Sequence, residues 1–331
     1  MRGALIAFTR RGAALARRLA DALFEEADLR VPPRLAQALG EAPYPSLEGW
    51  TEQAWGRADA LIFVGAAGIA VRAVAPHVRD KFTDPCVVSV DEAGRFAVPL
   101  LSGHVGGGND LARRIAAITG GQAAVSTATD VNGLFAVDLW ASERGMAITD
   151  RALAKEISAA LLEGKPVGFH SDFGHPCPDG LTEGAAELGV WVTCRRGPGP
   201  FSGALRLVPK CLTLGLGCRR GTDEEAIAAA VDEAAADYDP AAFAQAATID
   251  LKRDEDGLLA FCQSRGLPLR TFSAGALALA EGDFTPSAFV AEITGVDNVC
   301  ERAAVLVGGT LLTPKYAKNG VTVAVAGRMT I

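Results

Sequence analysis

Positive charge is in short supply in this sequence. Its 32 lysines and arginines face 39 aspartates and glutamates, a formal net charge of −7. Such a chain has no global pull toward nucleic acid or an anionic membrane, so neither is expected as a partner. An anionic ligand would need local basic clusters. Aromatic residues reach only 6% while hydrophobic residues make up 49%, the balance of a compact soluble protein rich in Ala, Val and Leu. No apolar run approaches the roughly 18 residues of a membrane helix, and the opening MRGALIAFTRRG meets arginines too soon for a signal peptide. Seven cysteines are scattered without a C-x-x-C pair, which fits reduced thiols in a cytoplasmic protein. Several catalytic signatures are missing as well. There is no Walker A lysine motif and no G-x-S-x-G elbow, Asp172-Phe173-Gly174 lacks the companions of a kinase, and Ser102 has no evident histidine–carboxylate partner.

Glycine, by contrast, is abundant, with 37 residues gathered near expected strand ends. The densest cluster lies in FAVPLLSGHVGGGNDLARRIA, Phe96 to Ala116. Phe96, Val98, Leu100 and Leu101 read as a buried strand. Ser102-Gly103-His104-Val105-Gly106-Gly107-Gly108 reads as a tight turn, and Asn109 opens an amphipathic helix carrying Leu111, Ile115 and Ile118. Backbone N–H groups in such a turn can approach a ligand closely, and a helix N-terminus favours a carboxylate, a phosphate or a developing oxyanion. His104 is the one side chain there that titrates near neutral pH. A close-packed crossover with a solvent-facing histidine explains the same residues equally well.

Strands alternate with helices along the chain, which predicts an α/β protein built of two α/β units with mostly parallel sheets, plus a small α/β middle insertion. The amino-terminal unit, 1–146, holds expected strands at Ala4–Phe8, Ala58–Val64 and Val87–Val90, with Asp91–Gly94 as a hairpin turn into the Phe96 strand. Ligands are then expected beyond the carboxyl ends of the strands, with the Gly65–Gly68 and Gly103–Gly108 loops on one shared edge. The middle region, 147–209, has an expected helix at Arg151–Leu162, and Arg195–Pro200 reads as a linker. The carboxy-terminal unit, 210–331, starts with a strand at Leu212–Leu216. There Thr222 is the expected N-cap with Glu225 three residues on, and Asn319-Gly320 signals a hairpin.

The loops share a further trait. Gly65–Gly68 with Arg72, Gly103–Gly108 with His104, and Gly217–Gly221 with Arg219 and Arg220 all pair a strand-to-helix turn with a basic group. Lys252 and Lys315 also follow strands closely. Arginine grips carboxylates bidentately, so the pattern suits a ligand with several carboxylates on a large frame, although capped helices and surface arginines account for each group singly. Gly215-x-Gly217-x-x-x-Gly221 has one residue too many for a dinucleotide fingerprint, so no nucleotide cofactor is expected. His170, His175 and Cys177 match no familiar zinc spacing, so no metal site is expected.

These segments also carry a resemblance to a known family. VGAAGIAVRAVAP, VPLLSGHVGGGNDLARRIA and STATDVNGLFAVDLWA resemble the amino-terminal part of the cobalt-precorrin-5A hydrolases of anaerobic cobalamin biosynthesis. LGLGCRRGT, ATIDLKRDEDGL, SAFVAEITGVDNVCERAAVL and LTPKYAKNGVTVAVA resemble that family's carboxy-terminal domain, which is also similar to a stand-alone protein of the aerobic pathway. The resemblance implies a hydrolase that opens the δ-lactone of cobalt-precorrin-5A and releases acetaldehyde, giving cobalt-precorrin-5B. Cobalt arrives inside the anionic tetrapyrrole substrate, so no cofactor of the protein's own is implied. Transient contact with other cobalamin-pathway enzymes follows from the same reading. Under it His104 is the expected general base, and the N–H groups of Gly106, Gly107 and Gly108 form an oxyanion hole. Glu301 is a second acid/base and Asp130 binds or orients. Arg72, Arg219, Arg220, Lys252 and Lys315 clamp substrate carboxylates, while Gly65, Gly68, Ser102, Asn109 and Gly217 shape the binding loops. The expected site is a cleft between the two α/β units. The competing readings are a non-catalytic tetrapyrrole carrier and a nicotinamide-dependent oxidoreductase.

Overall fold

The uninterrupted apolar run Ala4–Ala7 forms the buried centre of strand β1 (Arg2–Ala7) in the computed structural model, which describes residues 1–80, 83–104 and 106–328. Val105 of the glycine loop therefore lies outside the described residues. The chain divides into two units, Met1–Leu139 and Trp140–Ile331. In the first unit β1 is followed by β2 (Glu26–Val31), β3 (Ala42–Pro43), β4 (Ala60–Val64), β5 (Cys86–Val90), β6 (Phe96–Leu101) and β7 (Gln122–Ala123), in sheet order β3-β2-β1-β4-β5-β6-β7. Strands β4 (ALIFV) and β5 (CVVSV) are buried along their whole length, as a parallel sheet covered on both faces requires. The helices Arg10–Leu23 and Gly108–Thr119 pack on one face through Leu19, Leu111 and Ile115; Leu47–Trp55 and Ala67–Val74 pack on the other through Trp50 and Val74.

The pairing of β5 with β6 is the hairpin expected at Asp91–Gly94, and it overturns the shared edge expected of the two glycine loops. Strands β1 to β5 run parallel, but β6 is antiparallel to β5, with Val90 opposite Ala97 and Val87 opposite Leu101. Only five residues, Asp91–Arg95, separate the two strands, too little chain for a parallel crossover. The turn that follows β6 thus lies at the edge where β5 begins, and Ser102 Oγ donates to the carbonyl of Asp84 at 3.0 Å. Gly65–Gly68 follows β4 at the opposite edge. The two glycine loops do not share one.

The second unit contains two sheets. The first comprises β8 (Ala147–Ile148), β9 (Gly168–Ser171), β10 (Leu188–Val192) and β11 (Gly203–Val208), in order β8-β11-β10-β9. The helix Arg151–Leu162 begins at Asp150, whose carboxylate accepts from the Ala152 and Leu153 amides. Arg195–Pro200 is not a linker between domains. It lies in the connection from β10 to its parallel neighbour β11, and the Arg196 amide bonds the Asp237 carbonyl at 2.8 Å. Proline and glycine there serve a short crossover, which sequence cannot tell from a domain boundary.

The second sheet comprises β12 (Leu212–Cys218), β13 (Phe243–Ile249), β14 (Leu269–Phe272), β15 (Thr310–Lys318) and β16 (Val321–Gly327), in order β14-β13-β12-β16-β15. Strands β12, β13 and β14 are parallel, and β16 joins antiparallel to both β12 and β15, closing the expected hairpin at Asn319-Gly320. The helix after β12 is Glu224–Ala234, and its N-cap is Asp223, not Thr222. The Asp223 carboxylate accepts from the Ala226 amide at 2.7 Å, while the Thr222 hydroxyl turns back to the Arg219 carbonyl at 2.8 Å. A carboxylate at the positive end of the helix caps better than a hydroxyl already engaged. Lys315 also departs from expectation, since it lies within β15 and not after it.

Candidate active site

The turn after β6 is shaped by close packing. Ser102 holds a left-handed backbone, φ +51°, unusual for a residue with a side chain. Its neighbour Gly106 sits so near that a Cβ there would lie 2.4 Å from the Ser102 Cβ, and Gly107 takes φ +79° as N-cap of the helix Gly108–Thr119. The amide of Gly107 bonds the His104 carbonyl at 2.9 Å, that of Gly108 the Ser102 carbonyl at 3.1 Å, and that of Asn109 the Gly103 carbonyl at 2.8 Å. The N–H groups of Gly107 and Gly108 are thus spent inside the turn, which removes them from the expected oxyanion hole. Each would have to break an internal bond to reach a substrate oxygen.

What the turn delivers is a side chain. His104 Nε2 lies 2.6 Å from Asp130 Oδ2, and His104 Nδ1 lies 3.4 Å from Asp138 Oδ1. All three side chains are nearly buried, at 16%, 13% and 15% exposure. Asp130 comes from the short helix Ala128–Val131, and Asp138 from the first turn of the helix Val137–Glu143. Three further donors hold Asp130. Arg113 Nη2 bonds its Oδ1, while Thr127 Oγ1 and Asn109 Nδ2 donate to its Oδ2 at 2.7 and 3.0 Å. Asn109 also donates to the Thr127 hydroxyl at 2.9 Å, so it organises the carboxylate.

These contacts set the charges. Burial works against the anion of Asp130, but the hydrogen bonds from Arg113, Thr127 and His104 prevail and hold its carboxyl down to about 2. The hydrogen bond to Asp138 raises the pKa of His104 and outweighs the opposing cost of burial, with Asp130 adding to the rise. An imidazole whose two nitrogens both meet carboxylates is best satisfied with both nitrogens protonated. This resting arrangement departs from the expected general base, which needs one nitrogen free to take a proton. Arg113, Thr127 and Asp138 had no role assigned from sequence. Only the T-A-T-D spacing of Thr127 and Asp130 hinted at an Asx or ST turn, and nothing linear joins Asp138 to His104.

A second polar cluster forms at the carboxyl ends of β12 and β13. Glu255, 7% exposed, accepts from the Gly221 amide at 3.0 Å and from Lys252 Nζ at 2.9 Å, with Arg220 Nε at 3.5 Å. The Gly221 amide foremost, then Lys252, keeps its carboxyl below the ordinary range despite burial. Gly217, Arg219, Arg220 and Lys252 are therefore brought to one edge. The Arg219 amide bonds the Gly320 carbonyl at 3.1 Å, which seats the twin-arginine turn on the hairpin. Lys315 stands in a bulged part of β15 near the same edge.

Two sets of expected residues lie elsewhere. Gly65, Gly68 and Arg72 belong to the sheet edge opposite His104, and Arg72 Nη1 bonds the Gly68 carbonyl of its own helix at 3.2 Å. Glu301 is wholly buried. Its Oε1 accepts from Thr285 Oγ1 at 3.0 Å and the Lys315 amide at 2.6 Å, and its Oε2 accepts from the Thr285 amide at 2.6 Å and from Asn298 Nδ2. With both oxygens doubly engaged, it is an architectural carboxylate and not an exchangeable acid/base. Among the described residues no group of three or more His, Cys, Asp or Glu is placed to hold a metal ion.

Family comparisons agree along the chain. A model described as "Cobalamin synthesis G N-terminal" matches residues 49–130, "Cobalamin biosynthesis central region" matches 135–209, and "Cobalamin synthesis G C-terminus" matches 212–326. The cobalt-precorrin-5A hydrolase of Salmonella typhimurium is 34% identical over 345 residues, covering 97% of this chain and 96% of that protein. The chain belongs to the cobalt-precorrin-5A hydrolase family. A second family member, from Priestia megaterium, is 30% identical across 80% of this chain and 78% of its own length. Protein CobE of Sinorhizobium sp is 33% identical over 126 residues, which span 36% of this chain and 82% of that protein. The His104 turn and Asp130 fall within the segment matched by the first model, Asp138 within the second, and the Glu255 cluster within the third.

Proposed function

We propose that this protein hydrolyses the δ-lactone of cobalt-precorrin-5A, releasing acetaldehyde and leaving cobalt-precorrin-5B, as a cytoplasmic enzyme of cobalamin biosynthesis. Identity of 34% along 97% of the chain to a protein of that name is the observation that carries the reading. Cobalt enters as part of the substrate and leaves with the product. Among the described residues no helix is long and apolar enough to cross a membrane. Passing contacts with other enzymes of the pathway belong to the same proposal.

Lactone opening needs proton transfer at the ester and a fixed charge environment around it. His104 supplies the titrating group, and Asp130, locked by Arg113, Thr127 and Asn109, fixes its ring. Arg219, Arg220, Lys252 and Lys315 supply cationic groups for acetate and propionate side chains, with Glu255 setting the position of Lys252 and Arg220. Ser102 and Gly106 keep the His104 turn in its strained shape. The test is to incubate purified protein with the lactone and assay free acetaldehyde. Multiple turnovers are expected, with His104→Ala reducing them by about 10²–10⁴-fold. Stoichiometric binding without acetaldehyde would make the protein a tetrapyrrole carrier instead.

A further inference from the structure

His104 meets its two carboxylates unequally. Nε2 lies 2.6 Å from Asp130, a normal charge-assisted hydrogen bond to an anion that three other donors hold in place. Nδ1 lies 3.4 Å from Asp138, beyond the usual range of a strong hydrogen bond. One nitrogen is anchored, and the other carries a proton that can be re-aimed. We propose that Asp138 is a positioning residue which, with Asp130, holds His104 as an imidazolium, so that His104 enters the reaction as a proton donor through Nδ1 and not as the base that activates water. The proposal deepens the hydrolase reading and rests on it for the identity of the acceptor, the lactone oxygen.

The groups around the ring favour this assignment. Thr129 Oγ1 lies 3.4 Å from Nε2, Asp130 and Asp138 face the two nitrogens, and Arg113 and Asn109 reach the ring only through Asp130. The two carboxylates raise the ring's affinity for a proton. In the step itself, water adds to the lactone carbonyl carbon. The bond from that carbon to the ring oxygen then breaks, leaving its electron pair on the oxygen, which takes the Nδ1 proton. The proton released by the attacking water restores the imidazolium. Lactone and water are consumed, a carboxylic acid and a hydroxyl group are formed, and His104 ends as it began. Loss of the hydroxyl proton with cleavage of the adjacent carbon–carbon bond then frees acetaldehyde, the electron pair of that bond passing to the macrocycle.

The experiment pairs two readouts. Imidazole NMR of histidine-labelled protein follows four histidines, with the His104 signal identified by its loss in His104→Gln. The acetaldehyde assay gives kcat and KM against pH. Expected are a His104 midpoint above the ordinary histidine value, both nitrogens protonated at neutral pH, and kcat falling as pH rises through that midpoint. In Asp138→Asn the midpoint and the kcat limb should move together to lower pH. The result at pH 8 is a loss of about tenfold or more in kcat with KM changed less. A kcat that rises with pH through the His104 midpoint would overturn the proposal, as would an Asp138→Asn protein in which neither midpoint nor limb moves. If Asp138→Asn does not fold, the wild-type titration and pH profile decide between acid and base on their own. Wild-type protein that makes no acetaldehyde sinks the hydrolase reading and the donor role with it, while the imidazole titration still judges the hold of Asp138 on His104.

Discussion

The carboxylate of Glu301 accepts the backbone N–H of Lys315 at 2.6 Å. That amide lies where the register of β15 against β16 shifts, between Thr313 and Tyr316, so the sheet ladder does not use it. A buried anion on the helix Cys300–Gly308 takes the place of a strand partner and also gathers Thr285 and Asn298. The bulge that carries Lys315 toward the twin-arginine edge is thus fixed from inside the protein.

Glu301→Ala leaves four donors facing a buried gap without their acceptor and should cost about 3–5 kcal/mol of stability. Glu301→Gln keeps the shape and some of the acceptor capacity, and should cost about half as much while retaining most turnover. Thermal unfolding and the acetaldehyde assay on the two variants separate the cases. A Glu301→Gln protein with wild-type stability and no turnover would restore the acid/base role.

Arg219→Ala and Arg220→Ala should raise KM for the lactone about three- to tenfold with little change in kcat, because charge clamps act equally on ground and transition states. Arg220, 83% exposed in its side chain, should lose more of its contribution to added salt than Lys252, which is 18% exposed and held by Glu255. KM measured across a range of ionic strength checks both.

Arg72→Ala should leave kcat and KM within about twofold of wild type, since surface changes away from a site rarely matter more. Its guanidinium bonds its own helix at the sheet edge opposite His104. A loss of tenfold or more in kcat/KM would return Arg72 to the substrate site.

Acid should unlock the His104 cluster before it unfolds the whole chain. The folded pKa of Asp130 is depressed, so its stabilising effect is complete above its unfolded value near 3.8 and fades as pH falls toward about 2. The amount is on the order of 2 kcal/mol. The pKa of His104 is raised, so its share is complete below the unfolded value and is lost as pH climbs through the folded one. Denaturant unfolding from pH 2 to 9 should show the wild-type acid slope reduced in Asp130→Asn between about 4 and 2.

Most β strands and helix positions were legible in the residue order because strand burial and helix faces are local, periodic properties. The helix Arg151–Leu162 matches the sequence reading end to end. Strands β2 and β11 went unread: EADLRV is half exposed, and GALRLV follows a proline-glycine stretch that resembled a linker. His104 and Asp130 could be singled out because each sits beside turn-forming residues.

Residue order alone determined the α/β class, the glycine turn bearing a titratable histidine, and the basic groups after β12 and β13. Tertiary structure alone decided the rest. The Asp91–Gly94 hairpin was legible, but only the assembled sheet placed the two glycine loops on opposite edges. Pairing across 34 positions, from His104 to Asp138, gave the imidazole its second carboxylate. Burial turned Glu301 from a plausible acid into a brace. The physical reason is common to all three: a group's protonation and availability depend on which charges and donors reach it through space, and those arrive from distant chain segments only when the sheet has chosen its strand directions.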